Sequence, residues 1–216
     1  MADFVTSKIE APKEVLQSLL NEKGDIDFNM LGTFKGDFEW KTIDPAAERC
    51  AKSVMSDPTN GIPFIATYIN SDFRGSVALK LDEEGFEQFI QMLRNIRNHG
   101  YTNHSDFAYD SWGVKSNACE QTVNLEAGFV TFETAGTHPE GVLKALSAKH
   151  PEAEIKLSFA LHHKENLGFC GSFVYKGGEV KSSEGPGDWF RISQPEREKW
   201  TAFACELTGN LGADCV

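Results

Sequence analysis

"WGVKSNACEQTVNLEAGFVTFETAG", residues 112 to 136, is the stretch on which the fold turns. Its second half holds two runs of strand character, and its first half crowds Trp112, Lys115, Asn117 and Cys119 into eight positions. Extended backbone from Val114 onward would send Lys115, Asn117 and Cys119 to one face and Val114, Ser116 and Ala118 to the other. A thiol beside a lysine is a nucleophile only where a general base reaches it. No such base is placed by spacing here. The segment therefore reads as a half-buried strand, with Cys119 packing as a small hydrophobe and Lys115 reaching outward.

Elements on either side supply the rest of a sheet. Residues 3 to 10, DFVTSKIE, read as a strand. In APKEVLQSLLNEKG, Pro12 opens a helix, Val15, Leu16, Leu19 and Leu20 share a face, and Gly24 ends it. DIDFNML then alternates Ile26, Phe28 and Met30 against polar positions, the pattern of another short extended run. After the opening stretch comes a helix ended by His150-Pro151, with Thr137 and Glu140 at the spacing of a capping box. Ile155, Leu157 and Phe159 alternate as a strand, and GFCGSFVYKGGEV returns beside it with Gly177-Gly178 as a turn. KSSEGPGDW reads as a linker or surface loop. A last helix starts at Ser193, with Glu196 completing a capping box, and runs past Trp200, Phe203 and Leu207 to Gly209.

Between about 40 and 110 the pattern changes. One helix opens at Asp44-Pro45, buries Ala47, Cys50, Ala51, Val54 and Met55, and closes at Asp57-Pro58. IPFIATYI and GSVALKL read as strands about Asn70-Ser71-Asp72. DEEGFEQFIQMLRNIRNHG makes a longer helix with Phe86, Phe89, Ile90, Leu93 and Ile96 on its apolar stripe. The polar run His99 to Asp106 reads as a loop. In chain order this is strand, helix, strand, a helical and hairpin insertion, then strand, strand, helix, strand, strand. The class is α+β: a ferredoxin-like antiparallel sheet with two packed helices, an insertion and a C-terminal helix. The expected domain is 1–181 with its insertion at about 40–110, and 182–216 is a linker and helix packed on the same domain.

SKIEAPKEVLQSLL, WGVKSNA, VTFETAGTHPEGVLKALSAKHPEAEIKLSFA and GFCGSFVYKGGE together resemble the YubB-like proteins of phages and plasmids. The resemblance covers roughly residues 5 to 30 and 110 to 180. Where those proteins carry WGTKWNA, this chain matches at Trp112, Gly113, Lys115, Asn117 and Ala118 and has Ser116 in place of the second aromatic. The resemblance implies a ferredoxin-like domain and an origin on a mobile element. It implies no mechanism.

Charge narrows the function. Thirty-two acidic against 21 basic side chains give a formal net charge of −11, which repels phosphate backbones, and no Lys/Arg run offsets it. Direct nucleic-acid binding is not expected. Carboxylates would instead suit a protein that occupies another protein's basic, nucleic-acid-binding groove. Five cysteines, at 50, 119, 170, 205 and 215, include no CxxC, and the N-terminus has no basic-then-apolar leader. With no run long enough to span a membrane, reduced thiols in the cytoplasm of a bacterial host are expected, and Cys205 and Cys215 near the C-terminus could bridge, which spacing alone does not show. Adjacent His162 and His163 diverge on a strand, so no metal site and no cofactor is expected, and no catalytic set is assigned. The Gly-rich YKGGEVKSSEGPG lacks the helix and Lys-Ser/Thr of a phosphate loop.

The reading that follows is a non-enzymatic protein of a mobile element that inhibits a host defence complex, such as a CRISPR effector or restriction enzyme. Its candidate contact residues are Trp112, Lys115, Asn117, Trp189 and Trp200, with Phe190 as a further aromatic anchor. A small nucleotide or nucleic-acid enzyme using Lys115, Cys119 or His162/His163 is the alternative. So is an accessory protein whose 40–110 insertion makes a homo-oligomer.

Overall fold

The computed structural model describes residues 3–55, 81–161 and 168–209. The chain divides into two compact units, Met1–Thr33 with Ala108–Val216, and Phe34–Phe107. The first is built on strands Phe4–Glu10 (β1), Cys119–Asn124 (β2), Phe129–Ala135 (β3), Ile155–Leu161 (β4), Cys170–Lys176 (β5) and Glu179–Glu184 (β6). They form one antiparallel sheet in the order β2-β3-β1-β4-β5-β6. The first four strands have the ferredoxin-like order, and a hairpin extends the sheet beyond β4. Gly177 and Gly178, both at positive φ, make its tight turn. The final strand continues through Lys181-Ser182-Ser183-Glu184, which the composition placed in a loop. Pairing with β5 outweighs the low strand propensity of this polar run.

Alternation sorts the two faces. Val5, Ser7 and Ile9 of β1 lie opposite Thr134, Phe132 and Val130 of β3 and opposite Leu161, Phe159 and Leu157 of β4. All nine are buried, so this face is the core. His138, just ahead of helix Glu140–Lys149, stacks on Phe159 at 4.4 Å between ring centroids, which sets that helix over the same face. The short helix Lys13–Gln17 (α1) lies beside it, since Ser18 Oγ and His150 Nε2 are 2.7 Å apart. The capping box expected from Thr137 does not form. Pro139 stands at the N-cap position and supplies no side-chain cap, and the Thr137 carbonyl is engaged by Thr134 Oγ1 at 2.6 Å. On the opposite face, the C-terminal helix Gln194–Thr208 places Trp200 and Ala204 on Ala160 and Cys170. Ser193 opens it as expected, its N–H and Oγ both donating to Glu196 Oε2.

Two sequence expectations near the start are corrected. The first helix stops at Gln17 rather than running to Gly24. Asn21 Oδ1 accepts from the N–H groups of Lys23 and Asp25 and turns the chain back, so that Leu20 bridges Ile26. Residues 25 to 31 are not a strand either. Asp27 accepts the Asn29 N–H and opens a 3-10 turn, Phe28–Met30, burying Ile26 and Phe28 but leaving Met30 exposed.

In the second unit, helix Pro45–Met55 (α2) packs on helix Glu83–His99 (α3) through Ala47, Ala51 and Met92. Asp82 caps α3 and Gly100 ends it in the left-handed region. Its buried line is Gly85, Gln88, Met92 and Asn95, so the stripe is rotated from the expected one and Phe86 is exposed. Two polar residues enter because their amides are consumed. Gln88 accepts the Asp44 N–H and donates to the Thr42 carbonyl, while Asn95 donates to the carbonyls of Asp37 and Thr102.

The run read as a loop at 99–106 is a hydrogen-bonded turn, with Thr102 and Asn103 buried, leading into helix His104–Trp112 (α4). Thr102 Oγ1 lies 2.9 Å from Glu48 Oε1 and 3.1 Å from Asp106 Oδ2, and Lys52 bridges both carboxylates. Asn103 Oδ1 accepts the N–H groups of Ser105 and Asp106 at the start of α4. The strands expected at 62–69 and 75–81, and the closing Asp57-Pro58, fall outside the described residues apart from Leu81. That residue is not in a strand; it joins the apolar cluster of α2 and α3.

Candidate functional site

The end of α4 and the turn after it, Tyr109 to Ala118, form a rigidly held projection of the sheet unit. The structure corrects the strand reading of this stretch, since β2 begins only at Cys119. Trp112 ends the helix, and Gly113, at φ 83°, takes the left-handed position and donates its N–H to the Tyr109 carbonyl. Trp112 then turns into the core at 8% exposure, edge-to-face with Phe28, its Nε1–H donating to the Gly32 carbonyl at 3.3 Å. Phe28 stands edge-to-face on Phe132 of β3, so the tryptophan is tied to the sheet through one intervening ring.

Two amides do the work of a missing strand. Asn117 Oδ1 accepts the Phe28 N–H at 2.9 Å while its Nδ2 donates to Asp27 Oδ1 at 2.7 Å. Gln121 takes both backbone groups of Ile26, accepting its N–H at 2.5 Å and donating to its carbonyl at 3.0 Å. The register of β2 against β3 shifts between Cys119 and Thr122, with Glu120 at φ 45°, and this bulge lies where Gln121 turns toward Ile26. Burial would raise the Asp27 carboxyl, but the bonds from the Asn29 backbone, the Asn29 side chain and Asn117 hold it below the ordinary carboxylate value.

A third brace is steric. The first turn of helix Glu140–Lys149 (α5) lies directly on the end of α4, where a methyl group on Gly141 would sit 2.1 Å from the Ser111 carbonyl oxygen. What the three braces leave outside is Tyr109, 62% exposed, with the Lys115 ammonium 5.8 Å from its ring centroid, and Ser116 beside them. Of the five sequence candidates, Trp112, Lys115 and Asn117 thus meet in one turn. Trp112 and Asn117 build it and Lys115 is presented by it.

Trp189 and Trp200 lie elsewhere, in the cluster of the C-terminal helix. Trp200 is buried on Ala160 and Cys170, and half-buried Trp189 packs against the same group with Ile192, Phe203 and Leu207. Cys119 does not have the environment of an activated thiol. Burial and then the carboxylates of Glu133 and Glu120 push it above its ordinary value, and its Sγ–H donates to the Glu133 carbonyl at 3.4 Å. His162, His163 and Cys215 lie outside the described residues. Among the described residues no group of three or more His, Cys, Asp or Glu is placed to hold a metal ion, and no helix is long and apolar enough to cross a membrane. Sequence reasoning missed Tyr109, whose one signal was an aromatic among polar residues three places before Trp112. It also missed Gln121, whose signal was a strand amide that nothing required to be buried.

Asn117→Ala is expected to cost about 1–3 kcal/mol, because it strips the acceptor from the Phe28 N–H and the donor from Asp27. Urea unfolding checks this, and a change under about 0.5 kcal/mol would show that water replaces the amide without loss. A second expectation concerns His138. Burial, only partly opposed by Glu140, holds its ring below the ordinary histidine value, and Nδ1 is buried without a partner. Above about pH 6.5 the folded and unfolded forms are both neutral at this ring, and stability is full. Below it the unfolded chain takes up a proton that the native ring refuses, so stability falls with a slope of at most about 1.4 kcal/mol per pH unit for this group. His138→Phe should remove that component of the slope in denaturant titrations between about pH 7 and 5.

Comparison with known proteins bears on the fold. The model of a family described as "Ferredoxin-like domain in Api92-like protein" matches residues 109–203. That stretch takes in the braced turn, strands β2 to β6 and most of the C-terminal helix, and leaves out β1. No curated protein matches. A solved structure, the crystal structure of a protein Api92 from Yersinia pseudotuberculosis, is similar over 86% of this chain and 98% of that one, at 10% identity and a TM-score of 0.40. The matched residues carry a ferredoxin-like domain.

Proposed function

We propose that this chain is a non-enzymatic binding protein of a phage or plasmid, of the YubB-like kind. It acts in the cytoplasm of a bacterial host by occupying the nucleic-acid site of a defence complex such as a CRISPR effector or restriction enzyme. The observation that carries the reading is the braced turn. An exposed Tyr109 and Lys115 stand on backbone that Trp112, Asn117 and Gly141 already fix, so little further ordering is needed when a partner binds. The net charge of −11 supports the choice of a basic groove, where carboxylates take the place of phosphates.

The test is a tagged pull-down from cells with active CRISPR and restriction systems, repeated with the purified complex it identifies. One stoichiometric defence complex is expected, bound less tightly as salt rises. Tyr109→Ala should weaken that binding at unchanged stability. Capture of no defence complex, or affinity indifferent to both salt and Tyr109→Ala, counts against the reading.

A further inference from the structure

His138 joins the aromatic core of the sheet unit to the braced turn. Its ring lies on Phe159 of β4 at 4.4 Å and beside Phe173 of β5 at 5.3 Å between centroids. Its backbone meets the turn itself. A methyl group on Gly113 would lie 4.0 Å from the His138 carbonyl oxygen and 3.4 Å from the Glu140 nitrogen. Three positions on, Gly141 is packed against the Ser111 carbonyl. What fixes the His138 ring therefore also fixes the backbone on which Ser111 and Gly113 rest.

The slot that holds the ring is a poor place for a proton. Nδ1 is buried and has no hydrogen-bond partner. β4 and β5 face it with phenyl rings, and Phe169 closes on Phe159 at 5.5 Å. The end of α4 meets this stretch through the backbone of Ser111 and Gly113. Two titratable groups stand near. Glu140 is paired with Lys144 at 2.6 Å. Tyr175, next to Phe173 on the same face of β5, is fully buried with its hydroxyl unpartnered, and burial pushes that hydroxyl up so that it stays neutral. An imidazolium donates from both nitrogens, and here one donor would be left among hydrocarbon. Burial accordingly holds the ring below the ordinary histidine value, with Glu140 opposing only in part.

We infer that His138 is a proton-operated latch on the braced turn. As a neutral ring it lies in the Phe159–Phe173 slot and holds residues 138–141 against Ser111 and Gly113. As an imidazolium it leaves the slot, that backbone lifts, and the Gly113 end of the turn loosens. Trp112 and Asn117 still tie the turn to residues 27–32, so the opening stays local. Acid then weakens capture of a partner through Tyr109 and Lys115, a consequence that rests on the reading of this turn as the contact site. The latch itself does not.

The test follows amide exchange in the full chain by NMR, without a partner, between about pH 7.5 and 5, each rate divided by the intrinsic rate at that pH. An opening that takes up one proton becomes about tenfold more favourable for each pH unit below about 6.5. The Gly113 N–H, bonded to the Tyr109 carbonyl, and the Leu143 N–H, bonded to the Pro139 carbonyl, are expected to lose protection by that factor. Amides of β1, which is paired on both sides, should keep theirs. His138→Phe keeps a ring in the slot and takes up no proton, so Gly113 should stay protected throughout. Three results overturn the latch: Gly113 protection that ignores pH, a loss that persists in His138→Phe, or loss at Gly113 and β1 together, which is unfolding of the whole sheet. The His138 ring resonance gives a reading that needs no variant. Its titration midpoint must coincide with that of the Gly113 loss, and a midpoint at or above about 6.5 also overturns the inference. A latch that opens while a captured partner binds equally well in acid supports the inference and counts against the contact-site reading alone.

Discussion

Trp112→Ala is expected to destabilise the sheet unit by about 3–5 kcal/mol, the range for removing a large aromatic from a packed core. Three contributions add. The indole leaves a cavity beside Phe28, whose own edge-to-face contact with Phe132 then has support on one side only. The Nε1–H bond to Gly32 disappears, and with it one tie of the 26–32 segment. Gly113 loses the side chain that fixes where α4 stops. In a chain of this length each kcal/mol lowers the melting temperature by about 2–4 °C, so a fall on the order of 10 °C is expected. Trp112→Phe separates the contributions: it keeps a ring against Phe28, loses the indole donor and part of the volume, and should cost less than half as much. A cycle with Phe28→Leu should return a coupling of about 0.5–1.5 kcal/mol for the ring pair. Should Trp112→Ala leave the melting curve within about 2 °C of the parent, the tryptophan does not brace the turn, and the support claimed for Tyr109 and Lys115 goes with it.

Where local rules sufficed, the sequence was readable. Ser193, Glu196 and Gly209 mark both ends of the last helix because a capping box and a left-handed glycine act within a few residues of the sites they terminate. The Gly177-Gly178 hairpin and the alternation of β4 were equally plain, and the ferredoxin-like arrangement followed from element order. Residues 25–31 and 112–118 failed for one shared reason. Each alternates as a strand would, yet the groups that satisfy Ile26 and Phe28 are side-chain amides 95 and 89 positions away, a pairing that no periodicity records. The α3 stripe failed for the converse reason. A hydrophobic pattern treats Gln88 and Asn95 as outward-facing, whereas backbone carbonyls at Thr42, Asp37 and Thr102 draw both amides inward. The site shares this illegibility. Trp112 and Asn117 were noticed as unusual, but that one is a brace, the other a surrogate strand, and only Lys115 a surface group emerges from contacts with residues 26–32.

Gly141→Ala carries the second large effect, and its sign is the informative part. Within a helix, alanine is ordinarily better than glycine by about 0.5–1 kcal/mol, so the same change at an unobstructed first-turn position would stabilise. Here the new methyl would lie 2.1 Å from Ser111 O, 2.8 Å from Ser111 C and 3.0 Å from Trp112 C. All three are backbone atoms, so no side-chain rotamer can relieve the overlap. Either α5 lifts from the end of α4 or the Ser111–Trp112 peptide shifts, and both disturb the Trp112 ring against Phe28. A loss of about 3 kcal/mol or more is expected, at the upper end for overpacking because the obstruction is rigid. Gly185→Ala is the control, since its methyl would meet only the Cys170 carbonyl oxygen at 3.4 Å, an ordinary contact; it should leave stability nearly unchanged. The same displacement moves Gly113 and Lys115 relative to Tyr109, so any partner captured through the braced turn should bind Gly141→Ala more weakly even at temperatures where the variant is fully folded. A Gly141→Ala protein as stable as the parent would mean that α4 does not rest on α5, and that the turn's rigidity must come from Trp112 and Asn117 alone.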